Sequence, residues 1–392
     1  MSWVLELLKA IGLTVVIFTF LAVVTAMIGV YAERKIAGWI QARLGPKHVG
    51  PQGLLQTVAD TVKLLQKEHI TPRRADVLMF NAAPVVVAVA ALLDWVVIPF
   101  GTLGSRVLVV RDINIGVLYF SAMASVTVLG IITAGWSSNN KYALLGGLRS
   151  ASQLISYELP LALGILWAAM VAGTLSTVGI VEAQIQQGGW FLFTLPPPIG
   201  KLGAPFGILA AVTFLVAATA EVNRVPFDLP EAESELVAGY FVEYTGMRFA
   251  LFQLGEYGEM FGMAALATIM FLGGWAEPHM APYLWVAVAL GAVVVAAVIL
   301  LTARHSLVIR PVLILAVLTA AVGLLMSAGV HLPSIVWFLL KLFSLVFFLM
   351  WVRWTYPRLR LDQLLNLSWK VLLPLGLLNL LATGLVLTLG GR

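Results

Sequence analysis

Acidic side chains are concentrated in one short stretch of this sequence. Of the 19 Asp and Glu residues, eight lie between positions 221 and 259, where only Arg224 and Arg248 oppose them. The eight are Glu221, Asp228, Glu231, Glu233, Glu235, Glu243, Glu256 and Glu259. Neighbouring carboxylates titrate as a coupled set, so this stretch can pass protons or respond to a charge that forms nearby.

Part of this acidic stretch has a structural explanation. Asp228, followed three residues later by Glu231, resembles a capping box, and Pro230 suits the first turn of a helix. Glu233 and Glu235 exceed what a cap requires. Glu231 and Glu235 would also share one helix face, where like charges repel. A purely structural interpretation therefore leaves part of the cluster unexplained.

Further ionisable groups fall in or beside apolar sequence. Glu256 lies about seven residues, or ~10 Å, into the apolar run that starts at Phe249, and Glu259 lies one turn deeper. Glu158 precedes another apolar run, and Lys341 lies inside one. Snorkelling or a buried ion pair explains each group taken alone. Because charges in hydrocarbon are costly and mark proton or ion pathways, we predict a proton-transfer role for the set.

Membrane helices must position these groups. The composition is 60% hydrophobic and 11% charged, with a mean hydropathy of +0.97, which a water-soluble domain of this length does not carry. Backbone amides in hydrocarbon must be satisfied within their own segment, so we predict an all-α, polytopic helical membrane protein with about ten transmembrane helices. The predicted spans are 11–31, 77–100, 115–136, 159–178, 202–220, 249–275, 283–303, 311–330, 334–352 and 371–389.

The basic residues predict the orientation of these spans. The loops at 32–76, 137–158, 221–248, 304–310 and 353–370 hold 18 of the 24 Lys and Arg residues. By the positive-inside rule these loops are cytoplasmic, and both termini lie on the outer side of a bacterial inner membrane. The first run is too long for a removable signal peptide and is predicted to remain as a helix. The basic pI therefore reflects topology, and no nucleic-acid partner is expected.

The residue types restrict the cofactors that the chain can hold. There is no cysteine, which excludes thiolate ligation of an iron–sulfur cluster. The five histidines are scattered, and the P-loop, dinucleotide and HExxH motifs are absent. We expect no metal, haem, flavin or iron–sulfur cluster on this chain, so any electrons must come from a partner.

The first cytoplasmic loop combines rigid turns with an amphipathic helix. Gly-Pro pairs at 45–46 and 50–51 predict the turns. A helical apolar stripe then faces a polar stripe, which predicts an interfacial helix. The apolar stripe comprises Leu54, Leu55, Val58, Val62 and Leu65, and the polar one Gln56, Asp60, Lys63 and Lys67. A simple surface anchor is the alternative.

Several of these motifs resemble one known family, the quinone-site membrane subunit of respiratory complex I (NADH-quinone oxidoreductase), the bacterial counterpart of mitochondrial subunit 1. The similarity runs from about residue 30 to 375. The motifs that carry it are Glu33-Arg34-Lys35, Gln41-Ala42-Arg43-Leu44-Gly45-Pro46, Gly135-Trp136-Ser137-Ser138-Asn139-Asn140, Ser156-Tyr157-Glu158, Glu221-Val222-Asn223-Arg224-Val225-Pro226-Phe227-Asp228 and Tyr356-Pro357-Arg358-Leu359-Arg360.

The resemblance implies roles for individual residues. Those implied to line the quinone path are Arg34, Arg43, Phe249, Phe252, Arg353 and Arg358. Those implied to form an acidic funnel and the start of a proton route are Glu158, Glu221, Asp228, Glu231, Glu233, Glu235, Glu243 and Glu256, with Lys341. The implied partners are peripheral-arm subunits that carry the terminal iron–sulfur cluster, and small and antiporter-like membrane subunits. Quinone, of unspecified species, is the implied substrate.

Two features depart from the family pattern. Glu259 stands where the family commonly has Asn in a Glu-Tyr-x-Asn motif. The family usually has eight spans, so residues 283–330 are predicted to form an inserted peripheral hairpin between core regions 1–282 and 331–392 of a single membrane domain. Two alternatives remain: the homologous subunit of a membrane-bound hydrogenase or related dehydrogenase, and a secondary transporter, although no internal repeat is visible.

Overall fold

A computed structural model describes most of the chain. The described residues are 12, 27–104, 106–196, 200–229, 237–278, 290–291, 293–294, 317, 319–322 and 332–389. Most of the predicted first span, most of the predicted hairpin at 283–330 and both termini lie outside them. So do three predicted site residues, Glu231, Glu233 and Glu235.

Helices make up nearly all of the described structure, which confirms the predicted fold class. They are α1 (Val30–Ile40), α2 (Gln56–Gln66), α3 (Val77–Leu93), α4 (Gly116–Ser137), α5 (Lys141–Ala172), α6 (Thr177–Gln187), α7 (Ala204–Glu221), α8 (Met247–Phe271), α9 (Ser334–Thr355), α10 (Leu361–Leu367) and α11 (Leu373–Leu389). Short 3-10 helices span Pro51–Gly53, Asp94–Val97, Gly200–Gly203 and Gly239–Phe241, and a π-helical turn spans Ser368–Leu372. The described strands form one antiparallel pair, Thr102–Leu103 with Arg106–Val107.

Six described segments are long and apolar enough to cross a membrane. They are Val77–Val97, Gly116–Ser137, Lys141–Ala172, Ala204–Glu221, Ser334–Thr355 and Leu361–Leu389. All six overlap predicted spans, and the amphipathic helix predicted in the first loop is α2.

One predicted boundary is wrong. The loop expected at 137–158 is mostly helical, because α5 begins at Lys141 and continues through the span to Ala172. Asn140 caps this helix by accepting a hydrogen bond from the Tyr142 amide, which satisfies an otherwise unpaired donor. Burial of small residues near its start, including Gly146 and Ser150, then stabilises the extension by tertiary contact.

Helix α8 occupies the centre of the bundle. Every residue from Gly255 to Phe271 is buried, and α3, α6, α7 and α9 pack around it. Glycines allow the closest approach: a Cβ atom added at Gly255 would lie 2.5 Å from Val87 of α3, and one at Gly258 would lie 3.3 Å from Ala91. Two carboxylates, Glu256 and Glu259, are thereby held inside protein and away from lipid.

Replacing Gly146 by Ala is expected to destabilise the fold. The added Cβ would lie 2.8 Å from the Gly239 Cα and 2.9 Å from the Tyr240 amide nitrogen. Since both are backbone atoms, relief requires α5 to shift, at a cost of about 1–3 kcal/mol. Thermal unfolding of the purified protein measures this, with Gly384→Ala as the control, because its Cβ would meet nothing nearer than 3.6 Å. Equal melting temperatures for the two variants would contradict the close packing.

Candidate functional site

A buried carboxylate, Glu33 of α1, is the centre of the candidate site. Its Oε1 accepts a hydrogen bond from Arg353 Nη1 at the end of α9. Its Oε2 accepts one from the Tyr257 hydroxyl of α8, at 2.6 Å, and lies 3.4 Å from Arg224 Nη1. The Arg224 guanidinium also sits 4.4 Å from the centre of the Tyr257 ring. One carboxylate therefore joins three separate parts of the chain through charge-assisted hydrogen bonds.

The local sequence explains why α1 presents Glu33 inward. Glu33, Ile36 and Ala37 lie on the same face, one turn apart, and all three are buried. Gly29, just before α1, approaches α8 closely, since an added Cβ would lie 3.0 Å from the Phe261 ring. The carboxylate is thus fixed by helix packing as well as by its partners.

A cavity of about 660 Å³ opens beside this cluster. Residues of α1, the first loop, α2, α8 and the end of α9 line it. Four of the six predicted quinone-path residues are in its wall, namely Arg34, Arg43, Phe249 and Arg353. Glu33, Asp60, Arg224, Glu256 and Tyr257 line it too. The volume lies within the range of small-molecule sites, and the wall combines aromatic and aliphatic surface with cationic groups.

An ion pair ties the first loop to this cavity. Arg34 Nη1 lies 2.5 Å from Asp60 Oδ2, and Gln56 donates to the other carboxylate oxygen at 3.1 Å. Partial burial favours protonation of Asp60, but the hydrogen bonds from Arg34 and Gln56 outweigh it, so the pKa of this carboxyl lies below its ordinary value. Asp60 is therefore ionised at neutral pH and holds the Arg34 side chain at the cavity wall.

Two predicted quinone-path residues lie elsewhere. Phe252 is fully buried behind the cavity, where it packs edge-on against Tyr240 and Tyr244. Burial raises the pKa of Tyr244 to about 12, so this aromatic cluster stays uncharged. Arg358 is outside the cavity wall and binds the buried Asp228 through a 2.8 Å ion pair.

The described acidic residues occupy distinct surroundings. Glu256 faces the cavity and accepts a hydrogen bond from Tyr240 at 3.1 Å. Glu158 accepts one from Ser125, and Glu243 accepts one from Asn140 at 2.6 Å. Glu221, at the end of α7, is buried and interacts electrostatically with Glu158 and Glu259. The structure thus brings Glu158 and Glu221 together with Glu259, and separates Glu243 from them.

Lys341 is placed among backbone carbonyls. Its ammonium donates to the carbonyl oxygens of Leu272, Gly274 and Ala276 at 2.7, 2.9 and 2.6 Å. It also lies 4.7 Å from the Trp190 ring centre. These carbonyls follow the C-terminus of α8, so a cation there stabilises the end of the central helix.

Glu33, Asp60 and Tyr257 were absent from the predicted site residues. Glu33 and Asp60 each belong to a sequence motif, but their partners are remote in sequence. A signal was present in Glu33-Arg34-Lys35, three charged residues directly after an apolar span. Within the described residues no group of three or more His, Asp or Glu side chains has the geometry of a metal site.

The fold and the cavity define a polytopic all-α membrane protein with an internal, positively lined ligand site. The chain matches the family model for NADH dehydrogenase over residues 13–384 and therefore belongs to that family. It is 43% identical to the corresponding subunit of NADH-quinone oxidoreductase from Brevibacillus brevis (strain 47), over 99% of this chain and 95% of the relative. The same subunit from Geobacillus kaustophilus (strain HTA426) is 43% identical over 93% of this chain and 91% of its own length. That from Bacillus thuringiensis (strain Al Hakam) is 42% identical over 96% and 93%.

Replacing Glu33 by Gln is expected to weaken the cavity wall, because Arg224 and Arg353 would lose their shared anion. A hydrogen bond to a charged group contributes about 1.5–3 kcal/mol, so quinone-reductase kcat/KM should fall roughly ten- to hundred-fold. Steady-state kinetics of the membrane-bound enzyme measure this change. Glu182→Gln, an exposed position on α6, is the matched control. Equal kinetics in both variants would show that the Glu33 charge has no part in the site.

Proposed function

We propose that this chain forms the membrane end of the quinone-binding chamber of a proton-pumping NADH-quinone oxidoreductase and couples quinone reduction to proton translocation. One observation carries the proposal: a single cavity is lined both by cationic groups suited to a quinone headgroup and by Glu256, a member of the buried acidic series. The names of the relatives support the same assignment.

Binding follows from the chemistry of the wall. Quinone carbonyl oxygens accept hydrogen bonds, and the side chains of Arg34, Arg43 and Arg353 supply donors. The Phe249 ring supplies apolar surface for the quinone ring or tail. Two electrons and two protons convert quinone to quinol, and negative charge develops on the headgroup before the protons arrive. Fixed guanidinium groups stabilise that charge without reorganising.

Coupling follows from the position of the carboxylates. A unit charge acts on another at ~4 Å with about 4 kcal/mol at an effective dielectric constant near 20. A change in headgroup charge or protonation therefore shifts Glu256, and through the acids of α7 and α8 it shifts Glu221 and Glu158. The acids at 231–235 and Glu243 are proposed to belong to the same funnel on its cytoplasmic side. Asp228, with its Arg358 partner, is proposed to fix the loop that carries them.

The proposed electron donor is a terminal iron–sulfur cluster in a peripheral-arm subunit, since the absence of cysteine leaves this chain without thiolate ligands. Antiporter-like and small membrane subunits are the proposed neighbours in the bilayer. Both chain termini are proposed to lie on the outer side, with residues 283–330 forming a peripheral hairpin. Lys341 is proposed to support α8 and through it the proton route.

A membrane-bound hydrogenase subunit is the second candidate from sequence, and the relatives favour the quinone enzyme. Photo-crosslinking with a quinone analogue in the intact complex, followed by peptide mapping, tests the assignment. Labelling of peptides from α1, the first loop and the start of α8 is expected. Labelling confined to other subunits would exclude a quinone site here.

Neutralising Glu221 is expected to uncouple the enzyme. Glu221→Gln removes a titratable group from the middle of the buried acidic series while keeping its shape. Proton pumping in proteoliposomes should fall about ten-fold, and quinone reduction should fall less, since Glu221 does not line the cavity. Glu233→Gln is expected to behave in the same way. Unchanged pumping in both variants would remove these residues from the mechanism.

Replacing Asp60 by Asn is expected to raise the KM for quinone several-fold and leave kcat nearly unchanged, because it frees the Arg34 side chain from the wall without touching the acidic series. Activity titrations with a short-chain quinone measure both constants. Glu68→Gln, an exposed carboxylate in the same loop, is the control. A fall in kcat at constant KM would show that Asp60 acts on the chemistry and not on binding.

A further inference from the structure

Asp94 is a buried acid that neither the sequence motifs nor the proposed function uses. It begins the 3-10 helix Asp94–Val97 that directly continues α3, and it is 1% exposed. Neither of its carboxylate oxygens has a hydrogen-bond partner among the described residues. An ionised carboxylate in that setting would be strongly unfavourable.

Helix packing places Asp94 beside the acidic series. Helices α3 and α8 run in the same direction: Val87 faces Gly255, Ala91 faces Gly258, and the Trp95 indole faces Gly262, to which an added Cβ would lie 3.9 Å from Nε1. In this register Glu259 lies between the levels of Ala91 and Trp95. Asp94 lies about one half-turn farther from the cavity than Glu259. Replacement of the glycines by larger residues would push the two acids apart.

The charged and titratable groups that face Asp94 are all acidic. They are Glu259 of α8, Glu221 of α7 and the Tyr119 phenol of α4. Glu259 also has a carboxylate oxygen without a partner in the described part of the chain, as does Glu221. Two carboxylates in mutual range and without a cation cannot both be ionised, so at least one proton must reside on the group.

We infer that Asp94 and Glu259 share a transferable proton and form a storage site at the inner end of the route Glu256, Glu259, Asp94, linked sideways to Glu221 and Glu158. The inference rests on the proposed function and deepens it. A proton taken up by Glu259 when the headgroup charge changes is handed to Asp94 and returns when that charge is removed. No bond other than O–H forms or breaks in this exchange.

The test compares Asp94→Asn, Asp94→Glu and wild type in the assembled complex in proteoliposomes. Asp94→Asn keeps the shape and removes the titratable oxygen, so the pumping rate should fall about ten-fold while quinone reduction without a proton gradient stays near wild type. Asp94→Glu should restore most of the pumping. Normal pumping in Asp94→Asn overturns the inference, as does a failure of Asp94→Glu to restore it.

Infrared spectroscopy tests the inference without relying on the Asn variant. In redox-induced difference spectra of the wild-type complex, a protonated-carboxyl band should shift in D₂O and should move when aspartate carries ¹³C in its carboxyl group. Absence of an aspartate band refutes the storage site. The Glu221→Gln variant separates the two levels: if it loses pumping while Asp94→Asn keeps it, this inference alone fails, and if both keep full pumping, the proposed function fails.

Discussion

Burial of one negative charge between two arginines constrains the whole site. Glu33 is 4% exposed, and leaving it there without cations would cost several kcal/mol, so Arg224 and Arg353 must stay in reach. Arg224 follows α7, Arg353 ends α9, and Tyr257 belongs to α8. The positions of three transmembrane elements relative to α1 are therefore fixed by a single carboxylate. The cavity exists because these elements converge on Glu33 without closing over the first loop.

The same requirement explains the composition of α8. A helix that carries two carboxylates through the middle of a membrane protein must be covered on every side, and the buried stretch Gly255–Phe271 shows that it is. Small residues make this possible, because Gly255 and Gly258 let α3 approach until its side chains touch the helix backbone. Lys341 neutralises the carbonyls beyond the C-terminus of α8. Low hydropathy in α8 is thus a consequence of its central place.

The sequence predicts those features that depend on local chemistry. The span predicted at 334–352 starts at Ser334, where α9 begins, because lipid requires a continuous apolar run. Arg34, Arg43, Phe249 and Arg353 were found through motifs and share one cavity. Glu33 was missed because its partners lie 191, 224 and 320 residues away. Phe252 was placed on the wrong side of α8, since no periodicity distinguishes the two faces of a helix that is buried all round.

Successive positions on α8 link the cavity to the membrane interior. Glu256 and Tyr257 both face the cavity, while Glu259, less than one turn further, faces α7 and the end of α3. A charge that appears in the cavity therefore meets the Glu33 cluster and the first carboxylate of the acidic series at the same depth. The arginines are held by fixed ion pairs, so they cannot move far to screen it. Proton positions on the carboxylates are the cheapest response available, which is why a rigid helix can transmit a redox event without a change of fold.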